Sequence, residues 1–249
     1  MPLCAVKKMT TPDYGLDAPG TVQDMFTRGG WFLAFGLALW FMNRVEFPGP
    51  AASLLSVLGA PGLGFLITGA VMLWSSRVAK FQLRDQILDA AELKGDEKVL
   101  DAGCGRGLLL IGAAKRLKSG RATGVDIWSS EDLSDNSSEA TRDNAKLEGV
   151  ADKVRVESGD VCKLVYPEAN FDVVLSSLVV HNIAGADQRA QAIREMYRVL
   201  KPGGRLAMYD IFRTREYAKV LESCGAQNVT LGSMRWLWMV PGWMLTATK

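Results

Sequence analysis

Histidine is almost missing from this chain: His181 is the only one in 249 residues. A histidine-built metal centre is therefore excluded, and no metal site is expected. The four cysteines stand at 4, 104, 162 and 224 with no CxxC pair. That spacing provides neither a zinc site nor a disulfide framework, and it fits a reducing compartment. Charge excess is missing too, since the formal net charge is +2. No basic stripe exists to neutralise phosphates, so no nucleic-acid partner is expected. Two phosphate-binding signatures are incomplete. A dinucleotide fingerprint needs glycine at 108, where the chain has Leu108, and a Walker loop needs a Lys-Ser/Thr pair after its last glycine. Finally, charge vanishes altogether over 29–43 and again over 47–76.

The organising stretch is 99–107, VLDAGCGRG. Val99 and Leu100 read as a short strand. Glycines alternate at 103, 105 and 107, and LLLIGAAKRL then reads as a helix over 108–118. A glycine turn between strand and helix lets a ligand approach the backbone and meet free N–H groups. Asp101 is the first polar side chain at the carboxyl end of that strand, the end where open α/β sheets bind ligands. A carboxylate there disfavours a pyrophosphate and suits a cation. DAGCGRG resembles motif I of the class I S-adenosylmethionine (SAM) methyltransferases. The resemblance implies SAM as cofactor, contacted by Asp101, Ala102, Gly103, Cys104 and Gly105. Cys104 itself reads as a small packing residue of the turn.

Strands and helices alternate from here on, which implies a parallel sheet with helices on both faces. The second strand covers 122–127. Asp126 lies roughly 20 residues past the glycines, where nucleotide-binding α/β folds place an acid on ribose hydroxyls, and Ile127 follows it. A polar loop, 129–138, and a helix, 139–148, lead to a third strand, 154–157. Further strands are expected at FDVVLSS, 205–211, 227–231 and 243–248, with helices at 187–200 and 215–224 and a KPGG turn before the fifth strand. GVDIW, SGDV, FDVVLSSLVVHN and RVLKPGGRLAMYD occur in the order and spacing of the same family, so the resemblance covers about 95–212. It implies a Rossmann-like seven-stranded sheet of order 3-2-1-4-5-7-6 with the last strand antiparallel. It also implies that Gly159, Asp160 and Val161 face the adenine, and that Ser176 ends the fourth strand at the cofactor. The stretch 233–241, SMRWLWMVP, departs from the family; it reads as a pocket cap, a lipid contact or a plain hairpin.

The front of the chain divides into a polar segment, 1–28, an apolar helical hairpin, 29–76, and an amphipathic linker helix, 77–94, with Val78, Phe81, Ile87, Leu88 and Ala91 on one side. The methyltransferase-like domain takes 95–249. A bilayer core needs about 20 helical residues, and the second apolar run supplies them. The runs are apolar all round, with Trp31, Trp40 and Trp74 near their ends. Two readings stand: a hairpin in the membrane, or two buried helices roofing the active site. For a membrane hairpin, Lys7, Lys8 and Arg28 before it and Arg77, Lys80 and Arg84 after it place the catalytic domain on the cytoplasmic side. Removing 1–76 is then expected to leave a soluble unit that still binds SAM.

Transfer from a sulfonium needs little acid–base machinery. Where the acceptor carries a proton, a base helps. His181, just past the fourth strand, is the candidate, because histidine changes charge near neutral pH. Asp210 and Tyr209, at the end of the fifth strand, are secondary candidates. The expected activity is SAM-dependent methyl transfer (EC 2.1.1.-) to a small, lipophilic acceptor at the membrane; its identity and the oligomeric state are not written in the sequence. A nicotinamide-dependent oxidoreductase and a non-catalytic, membrane-tethered SAM-binding module are the alternatives.

Overall fold

A computed structural model describes residues 10–46, 51–131, 133–237 and 240–249. Lys7 and Lys8, residues 47–50 between the two long helices and the tip of 233–241 at Trp238 and Met239 lie outside the described residues. Seven strands form one sheet: β1 (Lys98–Ala102), β2 (Arg121–Asp126), β3 (Val154–Ser158), β4 (Phe171–Ser177), β5 (Leu200–Ile211), β6 (Gln227–Leu237) and β7 (Val240–Thr248). Their order is β3-β2-β1-β4-β5-β7-β6. The first five pair in parallel, and β7 runs antiparallel to both β5 and β6. The central strands are apolar on both faces, as a covered parallel sheet requires. Val173 and Leu175 enter the core on one face, while Val174 enters the core on the other.

Helices α4 (Leu108–Arg116) and α5 (Ser138–Leu147) cover the first face, and α6 (Ala186–Val199) and α7 (Thr214–Ser223) cover the second. Strand β5 starts earlier than the KPGG turn suggests. Leu200 already pairs with Phe171, and the register then jumps to Arg205 opposite Val173, so 201–204 bulge out of the ladder. The stretch 233–241 is no separate cap. Its described residues continue β6 and β7 into a longer hairpin, with Met234 opposite Trp243 and Arg235 opposite Gly242.

Two long helices precede the sheet, α1 (Pro19–Glu46) and α2 (Ala51–Trp74). They pack antiparallel through small residues. Gly62 lies against Leu33 and Phe32, Gly69 receives the ring of Phe26, and Phe32 stacks on Phe65 with ring centroids 5.6 Å apart. Outside this seam the apolar side chains face outward: Trp31 is 72% exposed, Phe35 59% and Phe41 66%. The pair is thus not a buried roof over the sheet. By length and composition, Pro19–Met42 and Gly59–Ala90 could each cross a membrane.

The chain runs from α2 through a π-helical turn, Ser75–Ala79, straight into α3 (Lys80–Ala90). The extra residue of a π turn rotates everything after it about the axis. Leu83, Ile87, Leu88 and Ala91 consequently face the core beside α4, while Val78 is left 42% exposed. The segment 77–94 therefore joins α2 to the sheet domain and is itself packed into that domain's core.

A Cβ on Gly29 would meet Leu66 at 2.7 Å and the backbone oxygen of Gly62 at 3.0 Å, whereas one on Gly30 meets nothing within 4 Å. Gly29→Leu is expected to lower the stability of the purified chain by about 1–3 kcal/mol through overpacking. Gly30→Leu should not lower it, and parallel denaturant titrations read the difference.

Candidate functional site

A cavity of about 800 Å³ opens along the carboxyl ends of β1, β2 and β4. Its floor is the turn between β1 and α4. Gly103 takes φ +83°, and a Cβ there would stand 2.3 Å from Val179, so only glycine fits. The N–H groups of Gly103 and Cys104 both donate to Val125 O, at 2.8 and 3.0 Å, tying the turn to β2.

Asp101, Gly103, Cys104, Gly105, Asp126, Ile127, Gly159, Asp160, Val161 and His181 all line the cavity. The three acids differ in how they are satisfied. Asp126 accepts from Gly105 N at 2.8 Å, from Trp128 N at 2.7 Å and from Asn136 Nδ2 at 3.3 Å. Asp160 accepts from Cys162 N at 2.8 Å, closing a local turn. Asp101 is 1% exposed, and neither carboxylate oxygen has a hydrogen-bond partner. Burial and the nearby charge of Asp126 push its carboxyl up to about 8, and the backbone of Leu110 in the first turn of α4 offsets only part of this. An orphaned carboxylate aimed at a cavity is what a cationic ligand requires. The residues present therefore fit the ammonium and sulfonium of SAM. Burial also pushes the Cys104 thiol well up, so it is no thiolate nucleophile.

His181 sits in a short turn, Val180–Asn182, directly after β4. Its ring Nδ1 lies 2.5 Å from Asp210 Oδ1, and its backbone N–H donates to Asp210 Oδ2 at 3.1 Å. Asp210 is fully buried and also accepts from Ile211 N at 2.8 Å. The carboxylate thereby fixes the imidazole's orientation. Tyr209 points to the other sheet face, where its hydroxyl donates to Arg235 O at 3.4 Å, so it is absent from the cavity wall. Ala102 and Ser176 also lie beneath the wall, joined by Ser176 Oγ donating to Ala102 O at 2.9 Å. Ser177, Leu178 and Asn182 line the cavity instead. Leu178 adopts φ +58° and Trp128 φ +65°, strained values at the edge of the site.

The outer wall comes from residues that the motifs do not mark. Residues 10–18 form a strap over the glycine turn. Asn144 exchanges two hydrogen bonds with Asp13, its Oδ1 accepting from Asp13 N at 2.9 Å and its Nδ2 donating to Asp13 O at 2.7 Å. Buried Arg106 donates to Asp13 O at 2.8 Å, pairs with the Asp13 carboxylate at 3.0 Å, and also donates to Ser134 O and Asp135 O. Lys80 at the start of α3 donates to Tyr14 O and Gly15 O at 3.0 and 2.6 Å. Asp17 accepts from Ser76 Oγ at 2.9 Å. Tyr14, Asp17, Lys80 and Leu133 consequently all line the cavity. Removing 1–76 would take Tyr14 and Asp17 from this wall and leave Lys80 and Leu133.

Comparison with known proteins agrees with this geometry. Residues 100–208 match the family model described as a methyltransferase domain. The chain is 35% identical over 132 residues to the 27-O-demethylrifamycin SV methyltransferase of Amycolatopsis mediterranei (strain S699), covering 53% of this chain and 45% of that one. It is 32% identical over 130 residues to methyltransferase GfsG of Streptomyces halstedii, covering 52% and 43%. The chain thus spans less than half the length of these relatives. A solved structure of geranyl diphosphate methyltransferase in complex with SAM shares the fold at a TM-score of 0.55 and 15% identity, covering 74% of this chain and 89% of that one. These matches relate residues 100–208 to methyltransferase domains, and the acids lining the cavity fit the cationic cofactor SAM.

Two outcomes follow for the empty and loaded site. A carboxyl raised by folding binds a proton that the unfolded chain releases, so between about pH 4 and pH 8 stability falls as pH rises. Asp101→Asn should remove that slope, stabilise the ligand-free chain near pH 8 by about 1–3 kcal/mol, and weaken SAM binding; thermal melts across pH and calorimetry report both. Asn144→Ala should leave the sheet intact but free the strap. Hydrogen exchange at 10–18 should rise, and SAM affinity should drop by roughly tenfold, the equivalent of one or two lost hydrogen bonds.

Proposed function

We propose that this protein transfers a methyl group from SAM to a small, lipophilic acceptor at a membrane, with its catalytic domain on the cytoplasmic side. The observation that carries the reading is one cavity holding two kinds of machinery. On one side stand Asp101, Asp126 and Asp160, suited to a cationic nucleoside; on the other stands His181, held by Asp210. The exposed apolar faces of α1 and α2, and the position of their roots on the cavity wall, support the membrane and the lipophilic acceptor.

Bound SAM supplies an electrophilic methyl on a good leaving group. The chain's own residues hold the geometry and exclude water. Asp101 would take the ammonium, Asp126 the ribose hydroxyls and Asp160 the adenine amine, a carboxylate-to-donor match in each case. With Nδ1–H directed to Asp210, the Nε2 of His181 is the free acceptor on the cavity side. It takes the proton from an O–H or N–H acceptor as the new bond to carbon forms. Asp210 does not touch the acceptor; it fixes the tautomer and stabilises the imidazolium.

His181→Ala should lower turnover by about 10²–10⁴-fold and flatten the pH–rate profile, with SAM affinity by calorimetry unchanged. Asp210→Asn should slow turnover through the wrong tautomer, again without loss of SAM binding. The assay follows labelled methyl from SAM into a membrane lipid extract. A parent chain that binds SAM but labels nothing would instead be a tethered binding module.

A further inference from the structure

We infer that the acceptor is a membrane amphiphile that enters the cavity sideways, from the headgroup layer, at the root of the apolar helix pair. This rests on the reading of α1 and α2 as a membrane hairpin. The cavity wall includes Ala18 before α1, Gly20 and Thr21 in its first turn, and Lys80, Leu83 and Arg84 of α3. Gly20 and Thr21 are exposed as well as lining the cavity, so they form part of its rim. The bond between Asp17 and Ser76 fixes these two roots at one level.

The distances up α1 place that rim. Thr21 stands five residues before Phe26, the first ring of the seam with α2 and still 36% exposed, which is about 7–8 Å at helical rise. The ion pair of Asp24 with Arg28, at 2.8 Å, extends the polar zone to about 10 Å above Thr21. Beyond it come the exposed rings of Trp31 and Phe35 and no further charge until Arg44. On the other helix Trp74 is 57% exposed two residues, about 3 Å, above the Ser76 level, where an interfacial indole belongs. The headgroup region on each side of a bilayer is about 5–8 Å deep. Thr21, about 10 Å below the last charge of this polar zone, therefore lies at the outer edge of such a layer.

This position selects a substrate class. The reacting atom must reach His181 inside the cavity, so it belongs to a polar head with a proton to give up. The remainder must cross the rim toward the hydrocarbon, so it is an apolar tail that never leaves the bilayer. A water-soluble metabolite needs no such rim, and a fully apolar lipid would not bring its reacting atom to this depth.

Photo-crosslinking of the full chain tests the route. p-Benzoylphenylalanine is placed singly at Thr21, at Phe35 and at Val165, an 83% exposed apolar residue away from the cavity. The variants are reconstituted in vesicles of equal parts dioleoyl phosphatidylcholine and dioleoyl phosphatidylglycerol, irradiated, and read by mass spectrometry. Lipid adducts at Thr21 and Phe35, well above the yield at Val165, are the expected result. Adducts at Phe35 with only the Val165 yield at Thr21 would overturn the sideways route and leave the membrane hairpin standing. Adducts at neither would overturn both. SAM binding measured on the same vesicles judges the methyltransferase reading separately, and it also shows that each variant is folded.

Discussion

An unpartnered carboxylate at the heart of the sheet is the constraint to which the rest of this molecule answers. Asp101 is 1% exposed near the carboxyl end of β1, with neither oxygen hydrogen-bonded. Held there as a charge, it would cost several kcal/mol. Among the described residues no lysine or arginine pairs with it; Arg106 and Lys80, which line the same cavity, are committed to carbonyls and carboxylates of the strap. The neighbouring acids are treated differently. Asp126 accepts three hydrogen bonds and so shapes the turn, while Asp101 is left unsatisfied. One carboxylate builds the site, and in the proposed function the other would meet a cation.

The strap gives the site its second property. A segment without regular structure, residues 10–18, is held by side chains from three separate elements, and its loss would open the cavity along its length. The same segment leads directly into α1. The apolar helices and the glycine turn are thus linked through the strap, by Asp17 to Ser76 and Lys80 and by Asp13 to Arg106.

The parts of this architecture that follow chain order were legible in the sequence. Strand order came from the β–α alternation and the family resemblance, and Asp101, Asp126, Asp160 and His181 all fall where strands end, so the topology alone brings them to one edge. What could not be read depends on contacts between distant residues. Asp13 meets Arg106 and Asn144 only after the sheet has formed, and no spacing announces it. Tyr209 and Asp210 were indistinguishable as neighbours on one strand; the pleat sends them to opposite faces, and only the tertiary structure says which face holds the site. Val78 was misplaced for a similar reason, since a single π turn shifts the phase of an otherwise regular helical pattern.

The unbroken run from α2 through the π turn into α3 has a mechanical consequence. Among the described residues the helix runs without a break from α2 into the sheet domain, and α3 is itself buried against the sheet. The protein would stand on a bilayer as a rigid mast does on a hull. Helices accommodate a thinner hydrocarbon layer by leaning, and here any lean would swing the whole sheet with it. Membrane thickness would then set how far the mouth of the cavity dips toward the lipid.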